Sequence, residues 1–223
     1  MEPRETPRLL KIIYDRLFAA YGRQHWWPAE EPFEVMVGAI LTQSAAWRNV
    51  EKAIGGLKAA GALSAAAIRH ISLPELAQII HSCGYFNAKA VKLKALADWV
   101  GSHSDDINNL YAADTEGLRR ELLAVHGIGP ETADSILLYA AGKPAFVIDA
   151  YTRRILNRLG LLPQKESYDA CQRFFTANLA VDVALYNEYH ALLVKLAKEA
   201  CRKQPLCKDC CLGDICCYNK GGS

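Results

Sequence analysis

Six of the chain's eight cysteines crowd into the stretch from Cys201 to Cys217. In a reducing compartment, such crowding reads as metal ligation before it reads as disulfides. The segment after Ala200 has too few large apolar groups to fold by burial, so something else must hold it. A Cys-x2-Cys spacing, present at Cys207 and Cys210, serves tetrahedral zinc as well as an iron–sulfur centre. Cys210–Cys211 and Cys216–Cys217 are adjacent pairs, so spacing alone leaves the ligand register open.

A second group is a carboxylate. Asp149 opens a helical run in Val147-Ile-Asp-Ala-Tyr-Thr-Arg-Arg154. Aspartate at such a place commonly caps the helix. It can also stabilise developing positive charge and orient a water. Upstream lies Leu122-Leu-Ala-Val-His-Gly-Ile-Gly-Pro-Glu-Thr-Ala-Asp-Ser-Ile136. Leu118, Leu122 and Val125 line one flanking helix, and Ala133, Ile136, Leu137 and Ala140 line the other. Gly127 and Gly129 allow a tight hairpin between them, and Pro130 suits the first turn of the second helix. Amides at that helix start, unshielded at the glycines, can point at a phosphate. An ordinary hairpin between packed helices has much the same pattern.

These groups sit on a helical scaffold. Apolar spacing predicts helices over Pro7–Tyr21, Phe33–Leu41, Ala46–Ala60, Ser64–Ile71, Leu73–Ser82, Ala88–Gly101, Asp114–Val125, Glu131–Ala141, Ala150–Leu159, Tyr168–Asn178 and Asp182–Lys198. Gly22, Gly61, Gly84, Gly101, Gly142 and Gly160 fall where helices should stop. Phe33–Leu41 is almost wholly apolar, which implies burial on most sides. Ala145–Ile148 reads as an extended connection. The expected class is all-α.

Of the 223 residues, 51% are hydrophobic and 22% charged, enough for a core and no sign of disorder. Met1 to Lys11 carries charges with no apolar run behind it, so no secretory signal is expected. No stretch approaches the length of a membrane span. The expected location is the cytoplasm, in association with the nucleoid if DNA is bound. The net charge of +2 argues only weakly for a nucleic-acid partner, so any DNA must be held by a local face and backbone amides. Lys89, Lys92, Lys94, Arg153 and Arg154 are candidates for that face, or simply solvated charges.

The Val-x-Gly-Ile-Gly-x-x-Thr-Ala pattern at the hairpin resembles the helix-hairpin-helix DNA-backbone motif. Gly142, Pro144, Asp149 and Arg154 reproduce the loop, aspartate and arginine that follow it in endonuclease III-like DNA glycosylases. The resemblance runs from about His25 to Cys216 and implies a two-lobed glycosylase fold. One lobe would be residues 33–143, with the hairpin at about 115–141. The other would join 1–32 to 144–223, with a cluster loop at 201–217. DNA and a flipped base would meet in the cleft, with Glu131 and Asp149 on opposite lobes.

The same resemblance assigns roles. Asp149 becomes the catalytic carboxylate, and Gly127, Gly129 and Thr132 contact the DNA backbone, with a monovalent cation on the hairpin carbonyls. Gln43 fills the space that the flipped nucleotide leaves. Cys201, Cys207, Cys210 and Cys216 hold a [4Fe–4S] cluster, although the family's first gap is usually one residue longer. Bifunctional relatives carry a lysine in the hairpin's second helix where this chain has Glu131. A carboxylate cannot form a Schiff base, so a monofunctional enzyme is expected. His25-Trp-Trp-Pro28 with Trp47 resembles the 3-methyladenine glycosylase branch, which implies a base pocket of Trp26, Trp27, Pro28 and Trp47. Indole faces suit a cationic alkylated purine. Trp26 and Trp27 are neighbours and cannot both point the same way, so at least one is expected to be structural. The expected partner is double-stranded DNA bearing a damaged base, bound by a monomer. Rival readings are a mismatch or uracil/thymine glycosylase, and a non-catalytic lesion- or abasic-site-binding protein.

Overall fold

The computed structural model describes residues 5–29, 31–107 and 112–221. Residues 1–4, part of the stretch read above for a signal, lie outside them. Among the described residues, the regular elements are all helical. They are α1 (Glu5–Tyr21), α2 (Pro32–Leu41), α3 (Trp47–Ala59), α4 (Ala65–His70), α5 (Leu73–Ile79), α6 (Phe86–Ser102), α7 (Thr115–Ala124), α8 (Pro130–Ser135), α9 (Ala150–Arg158), α10 (Tyr168–Thr176), α11 (Val183–Glu199) and α12 (Cys217–Lys220). Short 3-10 turns cover His81–Cys83 and Cys207–Asp209, and a π turn, Ile136–Ala140, extends α8.

Local chemistry sets the helix ends. Ser64, Ser72, Asp114, Asp149, Ser167 and Asp182 each accept an amide hydrogen bond in the first turn of the following helix. Each such cap contributes about 1 kcal/mol. Gly22, Gly61, Gly84, Gly142 and Gly160 adopt positive φ at the stops expected of them. Gly101 does not stop a helix. It lies inside α6 with the Arg69 guanidinium packed where a Cβ would stand, so its role is close approach.

The chain divides into two compact units, Trp27–Ala145 and Met1–Trp26 together with Phe146–Ser223. In the first, every residue of α2 from Phe33 to Leu41 is buried. Its one charge, Glu34, is met by Lys58 at 3.0 Å. Its Met36 and Ile40 share one core with Leu57, Leu93, Leu96, Leu122, Ile136 and Leu137. Residues 27–32 belong to this unit, whereas the sequence reading assigns them to the other. Packing is the reason, because the Trp27 indole lies against Gly38 of α2.

The second unit is built on α1, α9, α10 and α11. Leu10, Ile13 and Leu17 of α1 are buried, as are Ile155, Phe175, Tyr186, Tyr189 and Leu192. Phe146 stacks on Phe175 at 3.9 Å, and the Tyr189 hydroxyl donates to the Leu10 carbonyl at 2.9 Å. The extended connection Ala145–Ile148 is buried throughout and delivers the chain to Asp149 at the start of α9.

Candidate active site

In the hairpin unit, α7 ends at Ala124 and the chain turns through Gly127, at φ +83°, into Gly129, the N-cap of α8. Positive φ is open to glycine and costs other residues dearly. Space makes the same demand, for a Cβ on Gly127 would stand 2.3 Å from Cγ of Lys92. The lysine stem lies on the bare backbone. At Gly129 a Cβ would meet open space, so its surroundings leave room for a phosphate.

Gln43 lies just past the end of α2 and is not a solvated end. Its Nε2 donates to the Gly127 carbonyl at 3.1 Å and to the Thr132 hydroxyl at 3.0 Å. Lys92 Nζ donates to its Oε1 at 2.5 Å. Both ends of the amide are thereby fixed on the hairpin. Thr132, expected on the DNA backbone, has a buried side chain whose hydroxyl accepts from Gln43. The Gly127 carbonyl, which the resemblance would offer to a cation, accepts the same amide. Beside this network is a cavity of about 370 Å³, lined by Thr42, Gln43, Gly129, Glu131, Thr132 and Ser135.

Of the three lysines expected near DNA, only Lys92 reaches this network. Lys89 is 2% exposed, and its Nζ donates to the carbonyls of Leu41 and Cys83, each at 2.9 Å. Lys94 is spent on the carbonyls of Arg69 and Ile71. Buried ammonium groups need such partners, and both act as ties between helices.

The aromatic groups separate between units. Trp27 meets Trp47 edge to face at 5.3 Å and Tyr139 at 5.4 Å, with Pro28 exposed beside it. Gly38 permits this, since a Cβ there would approach the Trp27 ring to 3.0 Å. Trp26 belongs to the other unit, where the Lys198 ammonium lies 5.5 Å from its ring centre. The expected four-residue pocket is therefore not gathered in one unit, and Tyr139, absent from the sequence reading, is a ring partner of Trp27.

In the second unit, Asp149 caps α9. Its Oδ1 accepts from the Thr152 amide at 2.7 Å. Its Oδ2 faces Nε2 of His190, on α11, at 3.7 Å. The carboxyl side chain is 15% exposed and the imidazole 7%. Burial pushes the Asp149 carboxyl up, but His190 and the Thr152 amide outweigh it and hold the group below the usual carboxylate range. Asp149 is thus ionised near neutrality. Sequence reasoning missed His190. The available signal was a lone histidine in the apolar run of α11, which needs a polar partner if buried.

Arg153 and Arg154 turn inward too. Arg153 donates to the Glu166 carbonyl, and Arg154 Nε to the Cys201 carbonyl at 2.9 Å. One turn on, Arg158 donates to Cys201 Sγ at 3.2 Å and to the carbonyls of Arg202 and Lys203. Helix α9 therefore carries the aspartate at its start and grips the cysteine loop along its length. Within that loop, burial raises the Cys207 thiol, and the like charges of Cys216, Cys210 and Cys201 add to it. Cys211 pairs first with the Cys210 thiol and then with Tyr21 and Arg16, and the Cys217 sulfur lies against Gly160. Gly213 packs on the carbonyls of Cys207 and Cys210, where a Cβ would come within about 3.2 Å. Among the described residues, no three His, Cys, Asp or Glu side chains converge on one ion.

A glycine hairpin opening one helix, an ionised aspartate capping the next, and a terminal loop of thiols together define a helix-hairpin-helix protein. Residues 37–180 match the family described as HhH-GPD superfamily base excision DNA repair protein, and the chain belongs to that superfamily, as a DNA glycosylase of base excision repair. A Methanocaldococcus jannaschii protein, named provisionally as a DNA repair glycosylase, is 43% identical over 206 residues, covering 92% of this chain and 94% of its own. Endonuclease III of Sulfolobus acidocaldarius is 28% identical over 83% of this chain and 82% of its own. Among solved structures, the H. pylori 3-methyladenine DNA glycosylase bound to 1,N6-ethenoadenine superposes with a TM-score of 0.75 at 28% identity. It covers 87% of this chain and 97% of that one. A trapped endonuclease III–DNA covalent intermediate gives 0.81 at 21% identity, over 96% and 97%, a likeness of fold.

Proposed function

We propose that the chain is a monofunctional glycosylase that hydrolyses the N-glycosidic bond of a flipped, alkylated purine in duplex DNA, 3-methyladenine foremost. The observation that carries this reading is the Asp149 carboxylate, ionised, capped through Oδ1, faced by His190 at its other oxygen and still partly open to solvent. Loss of a base leaves positive charge on the sugar, and a fixed carboxylate beside it stabilises that charge without reorganising during the step. It can also orient the attacking water. An N-alkylated purine is already cationic, so its departure asks for little acid catalysis.

Three further features support the assignment. Glu131 occupies the hairpin position where a Schiff-base lysine would be needed, and it lines the cavity beside Gln43. Trp27 and Trp47 offer indole faces to a cationic base. The resemblance to an alkylpurine glycosylase extends over most of the chain. On this reading Gln43 leaves its hairpin partners to enter the vacated stack when DNA binds, and Gly129, with open space beside it, is the backbone contact.

The thiols suit a [4Fe–4S] cluster on Cys201, Cys207, Cys210 and Cys216. Cys207 lies under the influence of the other three, while the Cys217 sulfur lies against Gly160. Such a cluster would crosslink a loop that has little apolar burial of its own. Arg154 and Arg158 would join that crosslinked loop to the helix that begins at Asp149.

A panel of duplexes, each with one lesion, tests the reading. Release of 3-methyladenine as free base, with an intact abasic strand and no borohydride-trapped adduct, is expected. Release of uracil or thymine alone would overturn the substrate, and a trapped adduct would overturn the monofunctional assignment.

A further inference from the structure

We propose that His190 is a positioning residue for Asp149, fixing from α11 the carboxylate oxygen that the helix cap leaves unheld. The inference rests on the reading of Asp149 as the catalytic carboxylate. The cap engages Oδ1 only, through the Thr152 amide at 2.7 Å. A carboxylate held by one oxygen still rotates about its terminal torsion, which is broad and soft. Oδ2 is faced from another helix by the His190 ring, whose Nε2 lies 3.7 Å away, within ion-pair reach.

The placement of the ring is specific. His190 is 6% exposed and is followed along α11 by Ala191, Leu192, Leu193 and Val194, all buried. An imidazole in such surroundings is costly unless it meets polar groups, and the aspartate is one that it faces. After burial itself, His190 is the largest influence on that carboxyl, ahead of Thr152. The pair spans α9 and α11, two helices of one unit, so the carboxylate is oriented against the core rather than by its own helix alone. No proton needs to move. The ring sets the direction of the oxygen and leaves the anion intact for the sugar cation.

Wild type, His190→Ala and His190→Gln are compared by single-turnover excision, by Kd for a duplex holding an abasic-site analogue, and by thermal unfolding. The alanine variant is expected to excise on the order of 10- to 100-fold more slowly, the usual cost of removing a partner that orients a functional group. Its Kd should match wild type, and glutamine, which keeps a side-chain N–H donor, should recover most of the rate. Equal rates, a matching loss of affinity, or a glutamine variant no faster than alanine would overturn the proposal. Glutamine keeps the test decisive if the alanine variant does not fold. A readout independent of turnover is 13C NMR of the Asp149 carboxyl, whose midpoint should rise when His190 is replaced. An unchanged midpoint also overturns the proposal. If wild type excises no lesion, the glycosylase reading falls on its own, and the carboxyl titration alone decides the role of His190.

Discussion

Replacing Asp149 by asparagine and by alanine separates the two duties of that side chain. Asparagine keeps an Oδ1 that can accept from the Thr152 amide, so the cap at 2.7 Å survives. It loses the negative charge that faces His190 and, on the present reading, the sugar. Alanine loses both. The cap is worth about 1 kcal/mol, which for a chain of this size corresponds to a fall in Tm of roughly 2–4 °C. Removing one preorganised electrostatic partner of a transition state costs on the order of 100- to 1,000-fold, or roughly 2.7–4 kcal/mol. The expected pattern is therefore two variants with similar, deep losses of single-turnover excision, of which alanine, lacking the cap as well as the charge, melts the earlier. Acid unfolding adds a third reading. The folded carboxyl lies below its ordinary value, so its stabilisation is complete above the unfolded value, about 3.9, and is lost as pH falls through the folded value. Asparagine should remove that component of the acid limb. An asparagine variant within ten-fold of wild type, or one that melts with the alanine variant, refutes the reasoning.

Other outcomes follow from the same packing. Gly127→Ala forces a Cβ into the Lys92 stem at a left-handed backbone position, so a loss of at least about 1–2 kcal/mol is expected by denaturant unfolding; a neutral change would mean that the hairpin relaxes freely. Purified protein should be brown, with a broad band near roughly 400 nm from thiolate-held iron and sulfide. Cys207→Ala should bleach the band, while Cys217→Ala should leave it, and a colourless zinc protein would remove the cluster assignment.

Much of this protein was legible in its sequence. Helical periodicity with glycine punctuation located the described helices other than α12, because apolar stripes and left-handed stops act between residues a few positions apart. The hairpin glycines and the aspartate at the start of α9 were legible for the same reason. The extended Ala145–Ile148 connection followed from the absence of any alternating run. What sequence could not decide is where a long side chain ends. Lys89, Lys92 and Lys94 look alike along the chain, yet one is buried between carbonyls, one holds Gln43, and one ties two turns together. Trp26 and Trp27 are neighbours that belong to different units. His190 reaches Asp149 across 41 positions of chain, a pairing that exists only because α9 and α11 pack. Local backbone preferences are written in short-range pattern, whereas the partner of a buried charge is chosen by the burial itself, which only the assembled helices create.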